Sequence, residues 1–219
     1  MNVTITSISA LNGGSEVALT VRIEEGEHFE ARRLVLLARQ YAELRPEKGD
    51  IDCDKFETLQ SAAEICSAVK RGMYILGYGA CSAKQMLIKL RSKGFSREAA
   101  TSAAEYLCEL GYIKEIDDAQ REAQKCLKKH WGKRRIAAAL IEKGYTREAV
   151  AEALDSLDEV DFAELCVELI SQRYRGVPDD VDERRKLVAS LLRYGYSSSE
   201  IKEAITRLGD SAELDWSDD

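Results

Sequence analysis

Three segments of this 219-residue chain share one phrase: residues 89–107 (KLRSKGFSREAATSAAEYL), 139–157 (ALIEKGYTREAVAEALDSL) and 190–208 (SLLRYGYSSSEIKEAITRL). Their glycines, Gly94, Gly144 and Gly195, lie 50 and then 51 residues apart. Each is followed by an aromatic residue (Phe95, Tyr145, Tyr196), then a hydroxyl residue (Ser96, Thr146, Ser197), then a run of helical periodicity. Self-similarity at such a period predicts tandem helical units, each completing its core against a neighbour.

The phrase has a physical logic. Glycine reaches positive φ without a Cβ clash, so it ends one helix and turns the chain. The Ser or Thr two residues on is placed to cap the next helix by accepting a backbone N–H bond. Ser197 and Glu200 have the spacing of a capping box, while Glu98 and Glu148 fall in first turns, where a carboxylate faces the positive end of the helix dipole. After each cap the apolar positions form one stripe: Ala100/Ala104/Leu107, Val150/Leu154/Leu157 and Ile201/Ile205/Leu208. A helix before each glycine has its own stripe, at Met86/Leu90, Ile136/Leu140 and Leu187/Leu191. A third helix is expected upstream, over about 59–76, 118–130 and 162–174. The expected fold is mainly α: an elongated array of three tandem three-helix, helix-turn-helix-like repeats.

The front of the chain has a different period. Residues 4–8 alternate, 16–23 (EVALTVRI) alternate again, and Asn12-Gly13-Gly14-Ser15 stands between them, which predicts a hairpin. A third short strand is expected over 28–31, a helix over 34–44, and a break at 45–50. The organisation read from the sequence is a small β-rich extension with one helix (1–56), repeats over 57–113, 114–158 and 159–208, and an acidic, disordered tail (209–219).

The net charge of −7 is unevenly spread. Residues 61–208 hold 25 Lys/Arg against 23 Asp/Glu, so the acidity sits at the two ends. The most basic stretch, 121–135, sets Arg121, Lys125, Lys128, Lys129, Lys133, Arg134 and Arg135 against the single acid Glu122, with Trp131 among them. Cations beside an aromatic residue suit phosphates or an acidic protein surface; the plainer reading is a solvated helix face with Trp131 half-buried in a turn. The acidic tail is either a solubilising end or a segment that folds back on this stretch.

Six cysteines are scattered without a CxxC pair, and the two histidines, His28 and His130, lie near no cysteine pair. That spacing suits buried packing rather than zinc; Cys66 and Cys166 occupy matching places in AEIC and AELC. No metal or cofactor is expected. No phosphate-binding glycine loop, metalloprotease or serine-nucleophile motif occurs, and acids such as Asp117-Asp118 suit a helix cap. The chain is not expected to be an enzyme. No apolar run is long enough to span a bilayer, and the opening MNVTITSIS lacks the features of a signal peptide, so a cytoplasmic, membrane-free protein is expected.

In order and period the array resembles the RecX family, regulators of the RecA recombinase. The residues that carry the resemblance are Ser82 with Lys89-Leu90-Arg91-Ser92-Lys93-Gly94-Phe95, then Gly111-Tyr112-Ile113 and Asp117-Asp118, then Gly132-Lys133-Arg134-Arg135-Ile136, Leu140 and Lys143-Gly144-Tyr145. Gly79 stands where the family usually has an Arg, Gln85-Met86 where it has Glu-Leu, and Lys114-Glu115-Ile116 precede the Asp pair. The resemblance covers 61–208 and implies a protein that binds the RecA–DNA filament. Such a protein lowers ATP hydrolysis, filament growth and strand exchange in recombination, DNA repair and the SOS response. Direct contact with single- or double-stranded DNA through phosphates is also implied, and the chain is expected to act as a monomer. On this view Arg121, Lys125, Lys128, Lys129, Trp131, Lys133, Arg134 and Arg135 of the middle repeat meet the partner. The competing readings are a helix-turn-helix transcription factor and a helical scaffold without a recombination role. Glu98, Glu105 and Glu109, then Glu148, Glu152 and Asp155, on the helices after Gly94 and Gly144, argue against insertion into a DNA groove.

Overall fold

Two alternating segments open the chain and pair as a hairpin in the computed structural model, which describes residues 2–26 and 28–209. The chain divides into two compact units, residues 1–113 and 114–219. In the first, β1 (Asn2–Leu11), β2 (Glu16–Glu25), β3 (His28–Leu37) and the short β4 (Gly49–Ile51) form an antiparallel sheet of order β3-β2-β1-β4. Its register slips once, between Ile5 and Ser7, as a bulge in β1. One face, with Val3, Ile5, Leu19, Val21 and Leu36, packs on Phe56, Leu59 and Ala62 of α2 (Cys53–Leu76). A four-stranded sheet with a covered apolar face can hold where a lone hairpin would not.

The helical part of this unit consists of α1 (Ala38–Leu44), α2, α3 (Ala83–Arg91) and α4 (Arg97–Glu109). Cys66 and Val69 of α2, Met86 and Leu90 of α3, and Ala100, Ala104 and Leu107 of α4 share one core. The second unit repeats the theme with α5 (Glu115–Leu127), α6 (Lys133–Glu142) and α7 (Arg147–Asp155), then α8 (Phe162–Leu169), α9 (Val181–Arg193) and α10 (Ser198–Arg207). A π-helical turn, Ile170–Tyr174, extends α8. Ile136, Leu140, Val150, Leu157, Cys166, Leu187, Leu191, Ile201 and Ile205 are all buried in a single cluster. Each repeat stripe thus lies inside, with Leu154 and Leu208 half-buried at its margin.

The turns behave as the phrase predicts. Gly94, Gly144 and Gly195 take φ of 92°, 78° and 93°. The hydroxyls of Ser96, Thr146 and Ser197 accept from the N–H groups of Ala99, Ala149 and Glu200 at 3.1, 3.2 and 3.3 Å. The backbone N–H of each capping residue is satisfied in turn by a carboxylate, but from different places. Glu64 of α2 accepts from Ser96 at 2.6 Å and Glu115 of α5 from Thr146 at 3.0 Å. In the third copy Glu200 of the same helix accepts from Ser197 at 2.6 Å, completing the capping box.

The structure revises the sequence reading at three boundaries. The expected helix over 34–44 begins only at Ala38, because β3 runs on to Leu37. Alternation explains this: Leu34 and Leu36 enter the core beneath the sheet, while Val35 and Leu37 reach the helical core of the same unit. An apolar run buried on both faces is a strand. Residues 49–51, read as part of a break, supply β4, whose three residues are too few to show a period. Helix α2 also starts earlier than 59, capped by Asp52, whose carboxylate accepts from the Lys55 N–H at 2.7 Å. The acidic tail expected over 209–219 lies, beyond Gly209, outside the described residues.

Within the second unit the turn before α6 meets the turn before α10. The Gly132 N–H donates to the Tyr194 carbonyl at 2.8 Å, and the Arg134 N–H donates to the Gly195 carbonyl at 3.2 Å. A Cβ on Gly132 would overlap the Gly195 backbone, and one on Gly195 would overlap Arg135. Gly94 has nearly the same φ but open space around it. Gly132→Ala is therefore expected to lower unfolding free energy by about 2–4 kcal/mol, and Gly94→Ala by only about 1–2 kcal/mol of backbone strain. Urea denaturation of the full chain checks both values.

Cys66 and Cys166 are fully enclosed, Cys81 and Cys126 are buried, and Cys53 is exposed. Burial pushes the Cys66 thiol up to about 11 and the Cys166 thiol up to about 12. Since the thiolate is the reactive form, alkylation of the native chain at neutral pH is expected at Cys53 first, with Cys66 and Cys166 labelled only on unfolding. Mass spectrometry of the alkylated peptides reads the order directly.

Candidate partner-binding surface

The basic stretch 121–135 spans the second half of α5, a turn, and the first residues of α6. Helix α5 starts at Glu115, so Asp117 and Asp118 lie inside its first turn rather than before it. Asp118 is buried; its carboxylate accepts from the Lys114 N–H at 3.3 Å and pairs with Arg121. One turn on, Glu122 holds Lys125 at 3.3 Å and also pairs with Lys143 at the C-terminal end of α6. Burial works to raise the Glu122 pKa, but the hydrogen bonds and charges of Lys143 and Lys125 outweigh it and hold the carboxyl below its usual 4.5.

The turn then reverses the chain at His130, whose φ is 54°. Its ring Nε2 lies 3.1 Å from Glu168, and its carbonyl accepts from the Tyr196 hydroxyl at 2.9 Å. Tyr196 is fully buried, and burial pushes its phenol well above the ordinary range, so it stays a neutral donor. Beside this bond Trp131 is half-buried against the unit's core. The Arg135 guanidinium stacks 4.1 Å from the Trp131 ring centroid and 5.1 Å from that of Tyr194. Lys129 approaches the same indole at 5.1 Å, and Arg173 lies 5.3 Å from the Tyr194 ring.

The eight residues singled out by sequence therefore divide. Arg121 and Lys125 are tied to carboxylates on their own helix, and Lys133 to Asp158 at 2.8 Å. Trp131 and Arg135 are part of the junction with the third repeat, a role invisible in the stretch itself. Lys128 and Arg134 are exposed and have no ion pair among the described residues; Lys129 is exposed with only the indole beneath it. An open groove lined by Asp117, Gln120, Arg121, Lys125, Lys128 and Ser156 runs along this face. Tyr194, Arg173 and Tyr196 complete the junction and were not singled out as site residues. A signal for Tyr194 did exist: it stands where the other copies of the phrase have Lys93 and Lys143.

Among the described residues no group of three or more His, Cys, Asp or Glu is placed to hold a metal ion. No helix among them is long and apolar enough to cross a membrane. What the surface offers is exposed cations beside a cluster of aromatic rings and guanidinium groups.

Comparison with known proteins gives the relatives of the chain and of its fold. The family description "RecX, third three-helix domain" matches residues 159–205. The regulatory protein RecX of Stenotrophomonas maltophilia (strain R551-3) is 30% identical over 137 residues, covering 62% of this chain and 83% of that protein. That of Clostridium botulinum (strain Alaska E43 / Type E3) is 25% identical over 162 residues, covering 72% and 76%. The fold is shared with a crystal structure of regulatory protein RecX, at a TM-score of 0.71 and 20% identity over 94% of this chain and 99% of that one. It is shared too with RecX from Lactobacillus salivarius, at 0.59 and 23% over 68% and 98%.

The Glu122 linkage has a definite sign. Its folded pKa lies below the unfolded value, so its contribution is present above about pH 4.5 and is lost as pH falls through the folded value. The stability difference between wild type and Glu122→Gln is expected to be constant near neutrality and to shrink below about pH 4.5, read by urea unfolding across a pH series.

Proposed function

The chain belongs to the RecX family of regulatory proteins, and from that premise we propose that it binds RecA–DNA filaments and restrains them. On this reading it lowers RecA ATP hydrolysis, filament growth and strand exchange, works in the cytoplasm as a monomer, and performs no catalysis of its own. Helical repeats over 57–113, 114–158 and 159–208 supply the binding surface, with the basic stretch of the middle repeat as its charged contact.

One observation carries the reading of that contact. Lys128, Lys129 and Arg134 are exposed and make no ion pair among the described residues, and they flank a turn whose backbone is hydrogen-bonded to the third repeat. A charge held outward on a rigid mount loses little freedom when it meets an acidic surface or a phosphate. Arg121, Lys125 and Lys133 exchange their existing pairs for the partner, whereas Trp131 and Arg135 act by holding the turn in shape.

The experiment is the steady-state ATPase of preformed RecA–single-stranded DNA filaments, with RecA from the same source, titrated with this protein. Inhibition near or below one protein per RecA is expected. The triple variant Lys128→Ala/Lys129→Ala/Arg134→Ala should raise the half-inhibiting concentration about tenfold with only a small loss of thermal stability, from the Lys129 contact with the Trp131 ring. Arg135→Ala should instead lower the melting temperature through loss of the stacked junction. No inhibition by the wild type, with filaments intact and no co-sedimentation, overturns the RecA reading; full inhibition by the triple variant removes this patch from it.

A further inference from the structure

An open cavity of about 350 Å³ lies among α6, α7 and α10 of the second unit. Its walls are Lys133, Arg134 and Ala137 of α6, Leu154 of α7, and Ser197 and Glu200 at the start of α10. Ala137 and Leu154 are half-buried against the unit's core, so this part of the lining is apolar.

The charged part of the lining is unbalanced. Glu200 is committed to its cap, accepting from the Ser197 N–H at 2.6 Å, and Lys133 is paired with Asp158 at 2.8 Å. Arg134 is exposed and has no ion pair among the described residues. It stands in the first turn of α6, at the positive end of that helix dipole. The cavity therefore sets an apolar recess beside an unneutralised cation.

The sequence beyond Gly209 supplies the complement. Residues 210–219, DSAELDWSDD, hold five acids and no Lys or Arg, and Leu214 and Trp216 are their only large apolar residues. The reach is sufficient. Gly209 comes nine residues after Glu200, about 14 Å along a helix axis. Trp216 comes seven residues after Gly209, up to about 24 Å of extended chain.

We propose that residues 213–216 of this chain dock in the cavity, the Trp216 indole against Ala137 and Leu154, and the Glu213 and Asp215 carboxylates against Arg134 and Lys133. Opposite charge draws the segment to the cavity, and burial of the indole holds it there. A tether this short keeps the segment at roughly millimolar effective concentration, an advantage that a separate acidic partner or a second copy lacks. Docked, the segment covers Arg134. Its regulatory consequence rests on the reading of Arg134 as part of the filament contact: the chain's own carboxylates then compete with the partner for that cation. The docking itself does not depend on that reading.

The test is acrylamide quenching of Trp216 fluorescence in the full chain carrying Trp131→Phe, which leaves Trp216 as the sole indole. The reference is a synthetic peptide of residues 209–219. A contact with a Kd of about 0.5 mM at millimolar effective concentration is about two-thirds occupied, so the quenching constant is expected about threefold below that of the peptide. Arg134→Glu, which reverses the cation, and Ala137→Leu, which fills the recess, should each raise it to the peptide's value. Dilution of the protein should leave it unchanged. In the filament assay, Leu214→Ala/Trp216→Ala should lower the half-inhibiting concentration about threefold, because the fraction of chains with Arg134 uncovered rises from about one-third to one.

Docking is overturned if Trp216 is quenched as in the peptide, or if Arg134→Glu and Ala137→Leu both leave its protection intact. It is overturned equally if protection disappears on dilution, which would make a second copy the occupant. If Trp216 is protected as expected but the Leu214/Trp216 variant inhibits filaments as the wild type does, the regulatory role alone is overturned. If the wild type does not inhibit filaments at all, that role falls with the filament reading, and the quenching result still decides the docking. Should Trp131→Phe loosen the junction, fluorine NMR of the otherwise unaltered chain labelled with 5-fluorotryptophan makes the same comparison. Its Trp216 resonance, assigned by Trp216→Phe, should then differ from that of the peptide and return to it in the same two cavity variants.

Discussion

In the second unit, two backbones meet at Gly132 and Gly195 with no side chain between them, and the geometry around the basic turn depends on that approach. The two N–H···O bonds across it, from Gly132 and Arg134, join the start of α6 to the turn before α10. Hydrogen bonds between chain segments are worth only about 1 kcal/mol each, but they demand close approach, and here only glycine permits it. Once the turns are locked, Tyr196 reaches the His130 carbonyl from within the core, and Arg135 fits between Trp131 and Tyr194. Lys128 and Arg134, exposed on either side of this turn, are left outside the junction.

A run of like charges is ordinarily a uniform surface feature. Here the seven cations of 121–135 take on separate tasks according to what lies beside each. Asp118 and Glu122, on the inner side of α5, neutralise the cations one turn along the helix. Aromatic rings, which cannot neutralise charge, hold Arg135 and Lys129 by stacking. The remaining charge, Lys128, Lys129 and Arg134, sits within and just after the turn between α5 and α6.

The caps show the same principle at smaller scale. Three copies of one turn need a partner for the backbone N–H of the capping residue, and three glutamates provide it from different positions in the chain. Glu200 is local, three residues from Ser197, while Glu64 and Glu115 come from the first helix of their repeats. In those two copies the cap is therefore also a tertiary contact, tying the first helix of the repeat to its third.

The sequence alone determined the repeat, its turns, the caps and the buried stripes, because these depend on spacing within a few residues and on the period of a helix. The hairpin was legible for the same reason. It could not show that β3 continues to Leu37 or that residues 49–51 add a fourth strand, because both depend on pairing partners distant in the chain. The basic stretch was legible as charge, but not the division within it. That Arg135 and Trp131 serve the junction was decided by Tyr194 and Gly195, far along the chain, and only tertiary packing brings such positions together. Local periodicity writes secondary structure and capping into the chain; which side chains remain free to meet a partner is settled by the neighbours that folding supplies.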